Sequence, residues 1–139
     1  MDIELDHLLI PCTDREAAAR RLASLLDVPW GTARFGPFTS VYVNGGLTID
    51  FDQWPDEVPQ GHYCFRVDQA GFDAVLARLR AQGIAFRSTP HGPGDYAVNT
   101  SLGSSIVYWS EPDGHVWELL TASYARAPGD GTDAAAGPG

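Results

Sequence analysis

Glu118 closes the stretch V-Y-W-S-E-P-D-G-H-V-W-E and sits in the middle of its second strand, with apolar residues on either side of it. A bare carboxylate there is costly unless a partner meets its charge, and either a metal ion or an arginine would resolve that cost. Groups of matching type recur along the chain. His7 and His62 are separated by nearly the same interval as Leu22 from Leu76 and Leu25 from Leu79, and Asp50 in the last strand of the first half corresponds to Glu118 in the last strand of the second. Two histidines in matching first strands and two carboxylates in matching last strands form a pseudo-symmetric set. Such groups can hold a metal or exchange protons.

The elements that must position this set follow one plan twice. A strand is expected over 2–12, its polar residues alternating with apolar ones until Pro11 ends it. Thr13-Asp14-Arg15-Glu16 has the form of a capping box, with Thr13 as cap and Glu16 reaching back. A helix then runs to about Leu26, with Ala18, Leu22, Leu25 and Leu26 on its buried side and Pro29 as its stop. Strands over 38–44 and 47–53 are joined by Asn44-Gly45, a strong hairpin signal. After a polar bridge the order restarts: a strand over 62–67, a helix capped by Asp68 with Phe72, Val75, Leu76 and Leu79 on one face, and Gly83 beyond its end. A short strand is expected over 84–87 and a long loop over 88–102. The last two strands flank the turn Glu111-Pro112-Asp113-Gly114, with Val116, Glu118 and Leu120 on one face and His115, Trp117 and Leu119 on the other. If each apolar face packs on its own helix, the opposite faces carry His7, His62, Asp50 and Glu118 toward a shared cavity. His91 and His115 adjoin turn residues and are expected at the surface.

The composition narrows the classes of function. A chain of 139 residues suits one domain of about 1–125, with module one near 1–54 and module two near 61–124. A formal charge of -9 disfavours nucleic acid and anionic membranes, which need neutralising cations. Cys12 and Cys64 match neither a disulfide framework nor a metal-ligand spacing, so they read as free thiols in a reducing compartment. The acidic opening Met1-Asp2-Ile3-Glu4 is unlike a signal peptide, and no run reaches membrane-spanning length, so a cytoplasmic location is expected. Residues 126–139 carry no large apolar side chain and are expected to be a disordered tail.

The motifs D-H-L-L-I-P, H-Y-C-F-R-V-D and E-P-D-G-H-V-W-E-L together resemble the vicinal oxygen chelate superfamily, over roughly 3–124. That group includes glyoxalase I, bleomycin-resistance proteins, fosfomycin-inactivating thiol transferases and extradiol dioxygenases. The resemblance implies an α+β fold in which paired βαβββ modules form a cup-shaped mixed sheet around a divalent metal. It implies His7, His62 and Glu118 as the metal ligands, and a homodimer whose cups lie near the interface. Glyoxalase I enzymes take a fourth, carboxylate ligand from the first module, where this chain has the shorter Asp50. In extradiol dioxygenases a catalytic histidine stands at about the place of Asn99, and asparagine cannot serve as an acid or base at neutral pH.

Two imidazoles and one carboxylate, with open coordination positions, suit Fe, Mn, Ni, Co or Zn as the divalent ion. Such an ion would chelate two neighbouring oxygens of a small oxygen-rich substrate and stabilise negative charge that forms there. Isomerase, lyase, thiol-transferase and dioxygenase chemistry all fit that description. Asp50 and Tyr108 are the proton-transfer candidates; Asp50 reads equally as a solvated strand carboxylate, and Tyr108 as packing. Arg66 shares the His62 face and is placed to hold an anionic substrate group, or else to pair with Asp50 or Asp52. Asn99 and Trp109 complete the expected substrate contacts, although Trp109, like Trp117 and Trp54, also reads as core or cavity wall. Cys64 reads as a small apolar filler. The second class of function is a protein that sequesters a small molecule without catalysis, as bleomycin-resistance members do.

Overall fold

The computed structural model describes residues 1–126, so the expectation of a disordered tail falls almost wholly outside the described residues. Its elements are β1 (His7–Cys12), α1 (Arg15–Leu26), β2 (Trp30–Thr32), β3 (Phe38–Asn44), β4 (Leu47–Gln53), β5 (His62–Arg66), α2 (Gln69–Ala81), β6 (Ile106–Ser110) and β7 (Val116–Leu120). The strands form two mixed sheets, ordered β1-β4-β3-β2 and β5-β7-β6. In each sheet the first strand pairs in parallel with the last, β1 with β4 and β5 with β7, and the remaining pairs are antiparallel. This is the α+β architecture of repeated strand-helix-strand units.

Alternation along the strands decides which face is buried. In β1, Ile10 and Cys12 are fully buried, whereas Leu9 lies on the opposite face and is half exposed. Ile49 and Phe51 of β4 continue the inner face and pack against Ala18, Ala19, Leu22 and Leu25 of α1. In the second sheet Val107, Trp109, Trp117 and Leu119 pack against Phe72, Val75, Leu76 and Leu79 of α2 within the same continuous cluster. Burying each such side chain contributes about 1.5–3 kcal/mol, so the large aromatics Trp109, Trp117, Phe51 and Phe72 dominate. Arg78 donates to the Leu25 carbonyl at 3.0 Å, and Gln82 donates to Ser24 at 2.9 Å, which ties α2 to α1.

Four local features differ from the sequence reading. The first strand begins at His7, not at residue 2. Only Asp6 meets the sheet, through its carbonyl and Thr48 N–H, and Ile3 and Leu5 lie exposed beyond the end of β4. The cap of α1 is Asp14, whose carboxylate accepts from Ala17 N–H at 3.1 Å. Thr13 is drawn away instead, its N–H and hydroxyl both donating to Asp113 in the β6–β7 turn. The three-residue strand β2 was not anticipated, since its core is a glycine. The expected strand over 84–87 shrinks to a single bridge between Arg87 and Tyr108. The neighbouring backbone groups are used elsewhere: Ile84 N–H donates to the Leu79 carbonyl and the Phe86 carbonyl accepts from Tyr96 N–H.

Candidate functional site

The parallel register of β5 and β7 sets Cys64 beside Glu118, and the antiparallel register of β6 and β7 sets Tyr108 on its other side. His62 stands two pairs earlier on β5, on the same face, and reaches across to Glu118, its Nε2 lying 2.9 Å from Oε1. The carboxylate is 1 % exposed, whereas the His62 side chain is 44 % exposed, so the pair has one buried and one open member. The other carboxylate oxygen, Oε2, accepts a 2.7 Å hydrogen bond from the Tyr124 hydroxyl. Tyr108 is buried below, with its ring edge-on to His62 at 6.2 Å between centroids.

The electrostatics of this face follow from one buried carboxylate. Hydrogen bonding to Glu118 pushes the Tyr124 phenol well above its ordinary range, with burial adding to the effect. Burial raises the Tyr108 phenol, reinforced by the Glu118 charge. Cys64 is exposed as a residue, but its sulfur lies against the sheet near the Phe65 carbonyl. Burial of that sulfur, together with the Glu118 charge, pushes the thiol up to about 12. Such a thiol is protonated at neutral pH, in keeping with a filler and not a nucleophile.

The remaining expected residues scatter. His7 is on the outer face of β1, its side chain 56 % exposed and its Nδ1 2.8 Å from the Asp6 carboxylate, which raises its pKa. It does not join His62 and Glu118: among the described residues of one chain, no three His, Cys, Asp or Glu side chains are grouped closely enough to hold an ion. Leu5 and His62 do line one hollow of about 290 Å³, but His7 is not part of it. Asp50 lies on the first sheet, where Ser40 donates to it at 2.6 Å. Arg66 forms no ion pair among the described residues, with Asp50 and Asp52 included. With Cys64, Leu120, Ser123, Tyr124 and Arg126 it lines a hollow of about 430 Å³ over the Glu118 face. A larger hollow of about 500 Å³ runs along the α2 side of β5, and Glu118 does not line it. Asn99 spends its side-chain oxygen on the N–H and hydroxyl of Ser101. Trp109 is 1 % exposed in the α2 core, which leaves it no surface for a ligand.

His115 corrects the surface expectation, being fully buried. Its Nδ1 accepts from Gly61 N–H at 2.9 Å, and its Nε2 donates to the Pro11 carbonyl at 2.7 Å. The alternation that paired His115 with Trp117 and Leu119 already carried this signal; its place next to a turn outweighed it. Tyr124 follows the last strand, where no periodicity in the sequence points to a partner.

Solved structures decide the family. The oxidase ChaP-H1 matches with a TM-score of 0.80 at 38% identity, over 89% of this chain and 99% of that one. The chain belongs to the vicinal oxygen chelate superfamily. The oxidase ChaP-H2 matches with a TM-score of 0.81 at 30% identity, over 90% of this chain and 98% of its own. The fosfomycin resistance protein FosX from Mesorhizobium loti shares the superfamily fold at 20% identity, with a TM-score of 0.66 over 89% of this chain and 96% of that one. No family model matches the sequence, and neither does any curated protein. The superfamily fold accounts for the two mixed sheets.

Proposed function

We propose that the chain is a metal-dependent vicinal oxygen chelate enzyme that oxidises a small oxygen-rich molecule, with each site completed by a second copy. The observation that carries this reading is the His62–Glu118 pair. A fully buried carboxylate faces an accessible imidazole across 2.9 Å, and Cys64 and Tyr124, which flank it, line a hollow on the same face. A carboxylate so placed carries a desolvation cost that a ligand-sequestering groove does not need. The donor set fits a divalent transition metal among Fe, Mn, Ni, Co and Zn, with His62 Nε2 and Glu118 Oε1 as two ligands. The third is His7 of a second copy. It is exposed on β1, an edge strand of its sheet, and His62 is exposed on β5, an edge strand of the other. A two-fold axis that lays β1 of one copy beside β5 of the other makes this contact twice.

When bound, the ion would chelate adjacent substrate oxygens and offset their negative charge. Oxidation is favoured within the class because ChaP-H1 and ChaP-H2 are named oxidases. It favours a redox-active ion over zinc, which has no redox chemistry of its own. Arg66 at the rim holds an anionic group of the substrate, and Tyr108, paired with Glu118 across β6 and β7, donates the proton. Asp50 serves in proton transfer only if the second copy carries it to the site together with His7. The free thiols Cys12 and Cys64 suit a reducing cytoplasm.

Metal analysis of the protein purified without chelator, combined with a mixing experiment, tests this. His7→Ala and Glu118→Ala should each lose metal and turnover while keeping the far-ultraviolet circular dichroism of the parent. Co-refolded in equal amounts, the two variants should recover about a quarter of the parent's metal, because half of the dimers are mixed and each mixed dimer holds one intact site. No recovery on mixing would refute the shared site. A metal-free parent, with Glu118→Ala binding a small ligand unimpaired, would establish sequestration instead.

A further inference from the structure

Chain segment 121–125 does not simply leave β7. The Ser104 hydroxyl accepts from two successive backbone N–H groups, Thr121 at 3.2 Å and Ala122 at 2.9 Å. The Thr121 hydroxyl in turn accepts from Ser105 N–H at 3.0 Å. These bonds bend the chain back over the face that carries Glu118, and the Tyr124 phenol arrives there at 2.7 Å from Oε2.

We propose that Tyr124 is a positioning residue, holding Oε2 of Glu118 so that Oε1 alone is offered, with His62 Nε2, to an incoming ion. The inference rests on reading Glu118 as a ligand. A carboxylate turning freely about its last torsion would offer either one oxygen or both, and could swing toward the Arg66 guanidinium on the same face. One hydrogen bond to a fixed donor removes those choices. The nature of the donor also matters. A neutral phenol satisfies the buried oxygen yet leaves the carboxylate its full negative charge, whereas an arginine would neutralise the charge that a cation needs. Glu118 is thus held in one orientation without being paired off.

The test is cobalt(II) titration of the intact full-length protein, followed by calorimetry and by the visible absorption of the bound ion. Tyr124→Phe removes one oxygen and little volume. It should weaken cobalt binding by about 10–100-fold and change the visible spectrum, and the metal-free protein should melt somewhat lower because Oε2 of Glu118 loses its partner. The spectrum is the readout that a purely structural role would leave alone. Parent-like affinity and spectrum in Tyr124→Phe would overturn the role of Tyr124 and leave the metal reading intact. A parent that takes up no cobalt would overturn both. Should Tyr124→Phe fail to fold, Ser104→Ala carries the same test by loosening the bend that aims the phenol. Weaker cobalt binding supports the assignment there, and unchanged binding overturns it.

Discussion

Glu111 bears an electrostatic load unlike that of Glu118. It is 6 % exposed; its Oε2 takes a long 3.4 Å hydrogen bond from the Trp117 indole, and its Oε1 has no hydrogen-bond partner. His115 Nε2 lies 3.8 Å away but is committed to the Pro11 carbonyl. Burial therefore pushes the Glu111 carboxyl upward, with His115 and Arg21 opposing and Asp113 assisting. A raised carboxyl means that the folded protein holds this proton more tightly than the unfolded chain. The corresponding stability is complete at acid pH and is lost as the pH climbs from the ordinary glutamate value through the folded one. Glu111→Gln removes the titration and keeps an acceptor for Trp117. At neutral pH it should be as stable as the parent or more so, by up to about 1 kcal/mol, and urea unfolding across pH should show a flatter profile. A steeper profile, or a clear loss of stability at neutral pH, would contradict the burial argument.

At the level of elements, α1 shows how two local signals one residue apart are resolved from a distance. Thr13 and Asp14 both have the chemistry of a cap. Asp113, far away in sequence, binds Thr13 and leaves the capping to Asp14. Asp14→Ala should accordingly cost about 1 kcal/mol in urea unfolding. Glu16→Ala should cost under about 0.5 kcal/mol, because Glu16 makes only an exposed pair with Arg20. Equal losses from the two would restore the capping box that the sequence suggests. The β3–β4 hairpin offers the contrast. There the Asn44 side chain accepts from Gly46 N–H at 2.8 Å, so the turn signal needs nothing from outside, and the strands fall where the sequence puts them.

For the whole molecule, the pressing fact is that one chain carries the expected ligands on two separate sheets. The outer edges of β1 and β5 pair with no further strand among the described residues, and natural sheets seldom leave long edges uncovered. Pro11 lacks an N–H and is tolerated in β1 for the same reason, at an edge. Sedimentation at micromolar concentration should therefore find a dimer. A monomer that binds metal as tightly as the parent's preparation would remove the need for a second copy.

What the sequence determined by itself is what depends on short range. The alternation of period two placed His62 and Glu118 on the outer faces of their strands, and the repeat placed those strands as equivalents of β1 and β4. Parallel pairing of β5 with β7 then brings the two side chains together. The same alternation put His7 on the outer face of β1, and it was right there too. A face, however, says nothing about what stands opposite. Only the tertiary structure separated His7 from His62 and spent Asn99 on its own turn. It alone bent the chain after β7 so that Tyr124 meets Glu118. These outcomes depend on how two sheets and two helices pack, and packing joins residues that no local pattern connects.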